Sequence, residues 1–244
     1  QRPMVTTRSL RVVYFGTPEF AVPTLRRLLE SPSAPGVRHD VVALVSQPDR
    51  PKGRGHRLVA TPTKEVALAA GIPVLQPERM KDEAFLAQIA ALSPDIGVVA
   101  AYGRLLPDQL LSIPPLGMVN VHASLLPRWR GAAPVHRAVI AGDRETGVTI
   151  MRVVRELDAG ASFKMARRAI GDDETSVEVE RGLAELGAGL LLEVLEQIAE
   201  GRAVETPQDA PLATYAAKIT RADSPLDWRA PAQRVHDRIG VVQS

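Results

Sequence analysis

The chain has 244 residues, 45% of them hydrophobic, and a formal net charge of +2, so it can build one large core while its bulk charge does not mark it as a nucleic-acid binder. The absence of cysteine excludes disulfides and thiolate-ligated metal sites, and the five histidines carry no metal-ligand spacing. No apolar run reaches the roughly 18 residues that span a membrane, and Gln1 to Ser9 lacks the apolar stretch of a secretory signal, so it reads as a disordered tail, and the lack of cysteine sits easily with a reducing cytoplasm.

Leu10 to Phe15 is apolar, with β-branched and aromatic residues, and reads as the first strand. Gly16-Thr17-Pro18 turns it into a helix, with Thr17 the expected cap and Pro18 the first helical residue. Strand, turn and helix suggest a dinucleotide site. Gly16 stands alone, however, and the G-x-G-x-x-G pattern needed to approach a pyrophosphate is missing, which sets a nicotinamide enzyme aside. Val41 to Ser46 is the second strand. The Gly- and Pro-rich stretch after it reads as a mobile loop. Arg50, Lys52, Arg54, Arg57 and Lys64 there face only Asp49. Charge runs are usually solvated surface, but behind a parallel strand this one would lie at the carboxyl end of the sheet and suit a polyanion.

Thr61-Pro62 opens a helix that closes near Gly71. Ile72 to Leu75 is a brief strand, and Asp82 to Leu92 is a helix with Phe85, Ile89 and Leu92 on one face. Asp95 to Ala101 is a nearly continuous apolar run, as in a strand buried on both faces, and Tyr102-Gly103-Arg104 follow it. Pro107 to Ile113 is a short helix. Met118 begins a strand that carries Asn120 and His122, two residues apart and so on one face, into a basic loop ending at Pro134. The carboxyl ends of strands in open α/β sheets bind ligands. After a helix at Val135 to Ile140 and a strand at Gly147 to Val154, Leu157-Asp158-Ala159-Gly160 should bring a carboxylate to the same end. Asn, His and Asp can together handle protons and a developing oxyanion. On pattern alone, two satisfied strand residues and a turn aspartate fit equally well. Ser162 to Ile170 is a further strand. Thr175 to Glu200 is the longest helix, with a Thr175/Glu178 capping box, a stripe of Leu183, Leu186, Leu190, Val194 and Ile198, and three glycines, Gly182, Gly187 and Gly189, that weaken its middle. This alternation predicts an α/β fold with a predominantly parallel, Rossmann-like sheet. Thr206 to Pro211, with two prolines and no apolar period, reads as a linker.

Asn120-Val-His122-Ala-Ser124-Leu-Leu-Pro127-Arg-Trp-Arg-Gly131-Ala-Ala-Pro134, with Glu145-Thr-Gly-Val-Thr-Ile-Met151 and Leu157-Asp158-Ala-Gly160 after it in order, resembles the folate-dependent formyltransferases. Within that family it is most similar to the branch that formylates methionine on initiator tRNA. The resemblance covers residues 10 to 238 and implies the formyltransferase fold, with Asn120, His122 and Asp158 as the catalytic set. By resemblance, Tyr102, Gly103 and Arg104 line a pteridine pocket largely through backbone groups, and Ser124, Leu125, Leu126 and Pro127 contact the folate. The donor would be 10-formyltetrahydrofolate, without a metal, and the acceptor methionine-charged initiator tRNA. The Pro-Asp-Arg-Pro-x-Gly-Arg-Gly pattern implies that Arg50, Lys52, Arg54 and Arg57 contact the tRNA acceptor arm. Residues 10–205 would form the catalytic domain, and 206–244 a linker with a fragment of a C-terminal tRNA-binding domain, an OB-like β-barrel. Ala213 to Lys218 and Asp227-Trp228 resemble the junction to it. The chain beyond this junction is too short for the barrel, and Ile239 to Ser244 leaves the family pattern, so the sequence is expected to stop inside that domain or to lack parts of it. A monomer is expected.

Formyl transfer to an amine needs no side-chain nucleophile, which agrees with the lack of cysteine and of a G-x-S-x-G elbow. His122 is assigned the main proton handling and oxyanion stabilisation, Asn120 the role of oxyanion donor, and Asp158 that of orienter and relay base. Two other readings stay open. A folate formyltransferase acting on an amino sugar attached to a nucleotide would share these motifs, but the basic loop and the junction favour tRNA. A noncatalytic RNA-binding module would rest on the loop alone, and 4% aromatic residues is low for base stacking.

Overall fold

Short apolar runs bounded by turn residues become strands, and periodic runs become helices. The computed structural model describes residues 8–30, 39–52 and 57–242. In chain order these contain β1 (Arg11–Gly16), α1 (Val22–Glu30), β2 (Asp40–Val45), β3 (Arg50–Lys52), β4 (Arg57–Val59), α2 (Pro62–Ala69), β5 (Val74–Leu75), α3 (Glu83–Ala91), β6 (Ile96–Ala100), α4 (Asp108–Leu111), β7 (Met118–His122), β8 (Arg130–Gly131), α5 (Pro134–Ile140), β9 (Glu145–Arg152), β10 (Ser162–Ala169), α6 (Ser176–Ala199), β11 (Tyr215–Ala216) and α7 (Ala232–Val242).

The main sheet runs β10-β9-β7-β6-β1-β2-β5. From β7 to β5 every neighbour is parallel. β9 and β10 are antiparallel, which the alternation of strands and helices does not predict for them. A parallel return needs a crossover of a dozen residues or more. The connection from β7 to β9, residues 123–144, is long enough for one, yet after α5 the chain enters β9 on the His122 side of β7 and the two strands pair antiparallel.

Alternation along β7 sorts its side chains between two cores. Val119 and Val121 join Val12, Tyr14, Val148 and Ile150 under α1 and α6. Met118 joins Val13, Phe15 and Val99 beside residues of α3 and α4. Asn120 and His122 share Met118's face. The predicted capping box starts α6: the Thr175 hydroxyl accepts from the Glu178 N–H and the Glu178 carboxylate accepts from the Thr175 N–H. A Cβ at Gly187 would come within 2.7 Å of Val121, so the helix needs glycine there to lie this close behind β7. The expected cap at Thr17 is absent. Its hydroxyl accepts from the Gln47 N–H, Pro18 takes the cap position without a side-chain bond, and a 3₁₀ turn at Glu19–Ala21 precedes α1.

The expected linker is not detached from the rest. Thr206 bridges Ser162, β11 pairs in parallel with β8, and α7 packs on α5. The Arg137 guanidinium bonds the Ala217 and Lys218 carbonyls and pairs with Asp223, whose carboxyl it holds down at about 2. No barrel is present among the described residues. Residues 1–7 of the expected tail lie outside them, while Arg8 pairs with Asp95. No described helix is long and apolar enough to cross a membrane.

Candidate active site

Asn120, His122 and Asp158 line one cleft of about 530 Å³, which opens across the face of β7 and β9. Asn120 stands opposite Met151 in the β7–β9 ladder and His122 opposite Thr149. Asn120 is half-buried, and among the described residues its side-chain amide makes no hydrogen bond, which leaves it available to a ligand. His122 is 5% exposed. Its Nε2 lies 2.9 Å from the Trp129 carbonyl. A carbonyl oxygen only accepts, so Nε2 carries the proton and Nδ1 is the nitrogen facing Asp158 Oδ2, at 3.7 Å.

Asp158 arrives by a different route from the one expected. A parallel β9 would have delivered it at the carboxyl end of the sheet. Antiparallel β9 instead ends beside Val119, and the loop Val153–Ala161 climbs back over the sheet face. The loop is held at its tip, where Asp158 Oδ2 accepts the Gly131 N–H at 2.7 Å. Asp158 has φ of 50° and Trp129 has φ of 61°, both left-handed. Such a backbone costs about 1–2 kcal/mol in a residue other than glycine and persists only where surrounding contacts fix it.

The remaining predicted residues divide. Tyr102, Gly103 and Arg104 line the cleft. The Tyr102 ring turns away, edge-on to Phe15, with its hydroxyl pushed up to about 12 by burial. Its carbonyl accepts from the Gln47 side chain at 2.7 Å, and the Gln47 oxygen accepts from Arg50, so the base of the basic loop is tied to the cleft rim. Ser124, Leu125, Leu126 and Pro127 do not line this cleft. The Ser124 hydroxyl donates to the Arg128 carbonyl, and the Leu126 N–H donates to Thr149 Oγ1. In the basic stretch, Arg50 and Lys52 lie on β3 and Arg57 on β4, a short antiparallel ribbon where a mobile loop was expected. Arg54 lies outside the described residues. Lys64 is spent structurally, pairing with Asp49 at 2.6 Å and holding that carboxyl below its ordinary range.

Sequence reasoning misses the groups that support these loops, Arg130, Gln208 and Thr214, because a linker reading assigns no contacts to side chains. It also misses Glu180 and His136, which line the same cleft from α6 and α5. Burial pushes the Glu180 carboxyl up, against the opposing pull of His136, and it has no hydrogen-bond partner among the described residues. A carboxyl raised in the folded state contributes stability below its ordinary value, and that contribution is lost as pH rises through the folded value. Glu180→Gln is therefore expected to melt higher than the parent at pH 8 and at the same temperature near pH 3.5, with calorimetry at the two pH values as the check.

Among the described residues, no group of three or more metal-ligating side chains converges. The cleft walls are mostly apolar, with Val99, Leu105, Leu106, Met151, Val153 and Leu157, and carry few polar groups, the form of a small-molecule site.

The chain matches the family described as formyl transferase over residues 10–195. It is 49% identical over 231 residues to the methionyl-tRNA formyltransferase of Methylobacillus flagellatus, covering 94% of this chain and 73% of that one. Its fold resembles glycinamide ribonucleotide transformylase 1 from Symbiobacterium toebii, with TM-score 0.67 and 20% identity over 82% of this chain and 95% of that one. It also resembles an N-formyltransferase from Helicobacter canadensis solved with folinic acid and dTDP-3-aminofucose, with TM-score 0.70 and 15% identity over 94% and 79%.

Proposed function

This chain belongs to the formyl transferase family, and we propose that it moves the formyl group of 10-formyltetrahydrofolate to the α-amine of methionine carried by initiator tRNA. The observation that carries the chemistry is the convergence of an unpartnered Asn120 amide, an oriented His122 and Asp158 on one mostly apolar cleft. The choice of acceptor follows the relatives that match nearly the whole chain.

The folate, when bound, supplies the formyl carbon and departs through a nitrogen. The apolar walls beside Tyr102 to Leu106 and Val153 to Leu157 suit a flat heteroaromatic ring, with the exposed backbone of Gly103 available for its polar edge. Asn120 has a free amide to donate to the oxyanion that develops when an amine attacks a formyl carbon. His122, fixed with Nδ1 toward Asp158, can take up or release a proton at that nitrogen, and the carboxylate stabilises the charged ring. Asp158, tied by the Gly131 N–H, keeps a second oxygen for relaying the amine proton. Arg50, Lys52, Arg54 and Arg57 are proposed to meet the phosphates of the acceptor arm, and residues 206–244 to lead toward a further tRNA-binding part.

The test is transfer from 10-formyltetrahydrofolate to methionyl initiator tRNA, with uncharged tRNA as control. Formylmethionine is the expected product, and its absence with folate bound would move the acceptor to another amine such as an amino sugar. Arg50→Glu with Arg54→Glu is expected to raise the KM for tRNA about tenfold or more and to lower the salt slope of binding by about 1 per lost phosphate contact. An unchanged KM and slope would remove the loop from the tRNA interface.

A further inference from the structure

We propose that Gln208 is a positioning residue that, together with Thr214, fixes the two groups gripping the ring of His122. This rests on the assignment of His122 to proton handling. The histidine meets the protein through two acceptors, the Trp129 carbonyl at Nε2 and the Asp158 carboxylate facing Nδ1. Both acceptors belong to residues in left-handed backbone, so neither loop holds that shape by local preference.

The segment Thr206–Ala216 supplies what is missing. Gln208 Nε2 donates to the Asp158 carbonyl and to the Gly160 carbonyl, each at 2.8 Å. Gln208 Oε1 accepts from Arg130 Nε at 3.1 Å and from its terminal nitrogen at 2.8 Å. Two N–H donors and one oxygen are thereby all engaged, and a single amide ties the loop that carries Asp158 to the loop that carries Trp129. Thr214 acts on the second loop alone: its hydroxyl accepts the Trp129 N–H at 2.9 Å and its carbonyl accepts the Arg130 N–H at 2.9 Å. Ser162 and Thr206 exchange backbone bonds at one end of the segment, and Ala216 accepts from Ala132 and Ala133 at the other.

The chemistry at 208 needs an amide. Arg130 is 2% exposed, and its nearest carboxylate is the exposed Glu156 at 3.9 Å, so a glutamate at 208 would satisfy the buried guanidinium more strongly than glutamine does. A carboxylate could not donate to the Asp158 and Gly160 carbonyls, and would set a negative oxygen against them. Donating to one loop while accepting from the other is what an amide does and an acid does not.

The experiment compares the full chain with Gln208→Glu and, separately, Thr214→Val. Folding is followed by thermal melting, kcat and both KM values by formyl transfer, and the His122 ring by its ¹⁵N and ¹H signals in histidine-labelled protein, assigned with His122→Asn. Each folded variant is expected to lose tenfold or more in kcat with both KM values within about twofold, and to shift the His122 ring signals. A folded variant with parental kcat and unmoved ring signals overturns the proposal. So does a kcat loss that matches only the loss of folded protein. The ring signals report even if the parent forms no formylmethionine, an outcome that would overturn the proposed reaction and leave the positioning test intact.

Discussion

His122→Asn is expected to lower kcat for formyl transfer by about 10³-fold or more while the protein still folds. The imidazole stands beside Asn120 and Asp158 in the cleft, and removing it takes away the proton carrier and its support of the developing oxyanion. Proton transfer by a placed side chain contributes about 10²–10⁴-fold, and one preorganised oxyanion donor about 10²–10³-fold. Asn120→Ala deletes the donor alone, so about 10²–10³ is expected, with the smaller effect on KM because ground-state binding draws on the apolar walls. The double variant should fall little below His122→Asn, since groups acting on one transition state do not add. Single-turnover formyl transfer beside a melting curve checks all three. Turnover near normal in both single variants would remove these residues from the chemistry.

Much of this site is legible in the sequence because it depends on the strand period. Asn-x-His puts two side chains on one face whatever the rest of the sheet does, and β7 obeys that rule, with Val119 and Val121 in one core and Asn120 and His122 on the other face. The sequence assigns Asp158 to the right place through a wrong topology. Its pattern marks β9 as a strand but says nothing of its direction, and the connection at 123–144 is long enough for either. The strained loop conformations are less legible still. Nothing in Trp129 or Asp158 announces a positive φ, which arises from contacts with Gly131, Gln208 and Thr214, the last two more than 45 residues beyond Asp158. The polar and Pro-rich segment that delivers them looks like a linker because its interactions are hydrogen bonds, which leave no apolar period. Glu180 escapes for the opposite reason, being one acid among several on a helix whose stripe already explains its fold.

Gly160→Ala is expected to be the most damaging glycine-to-alanine change among the described residues. A Cβ at Gly160 would stand 1.8 Å from the Arg152 carbonyl oxygen and 2.8 Å from the Arg152 carbonyl carbon. The obstacle is backbone at the end of β9, so no rotamer change relieves it. One of the two segments must move, and the Arg152 N–H is meanwhile bonded to the Ala161 carbonyl. Overpacking typically costs 1–3 kcal/mol and more where the backbone must shift, so a loss of about 3 kcal/mol is expected, a fall in Tm of about 6–12 °C for a domain of this size. Activity should fall further than stability. The displaced carbonyl of Gly160 is one that Gln208 holds, and Asp158 sits two residues upstream, so the fraction still folded carries a misplaced carboxylate. The same substitution at Gly189 gives the control with the opposite sign. Nothing lies within 4 Å of a Cβ there, and the position is inside α6, where alanine is favoured over glycine by about 0.5–1 kcal/mol. Gly189→Ala should therefore raise Tm by a few degrees and keep full turnover. If calorimetry found the two variants shifted alike, the close passage of the Asp158–Gly160 loop over Arg152 would be wrong, and with it the route by which the carboxylate reaches His122.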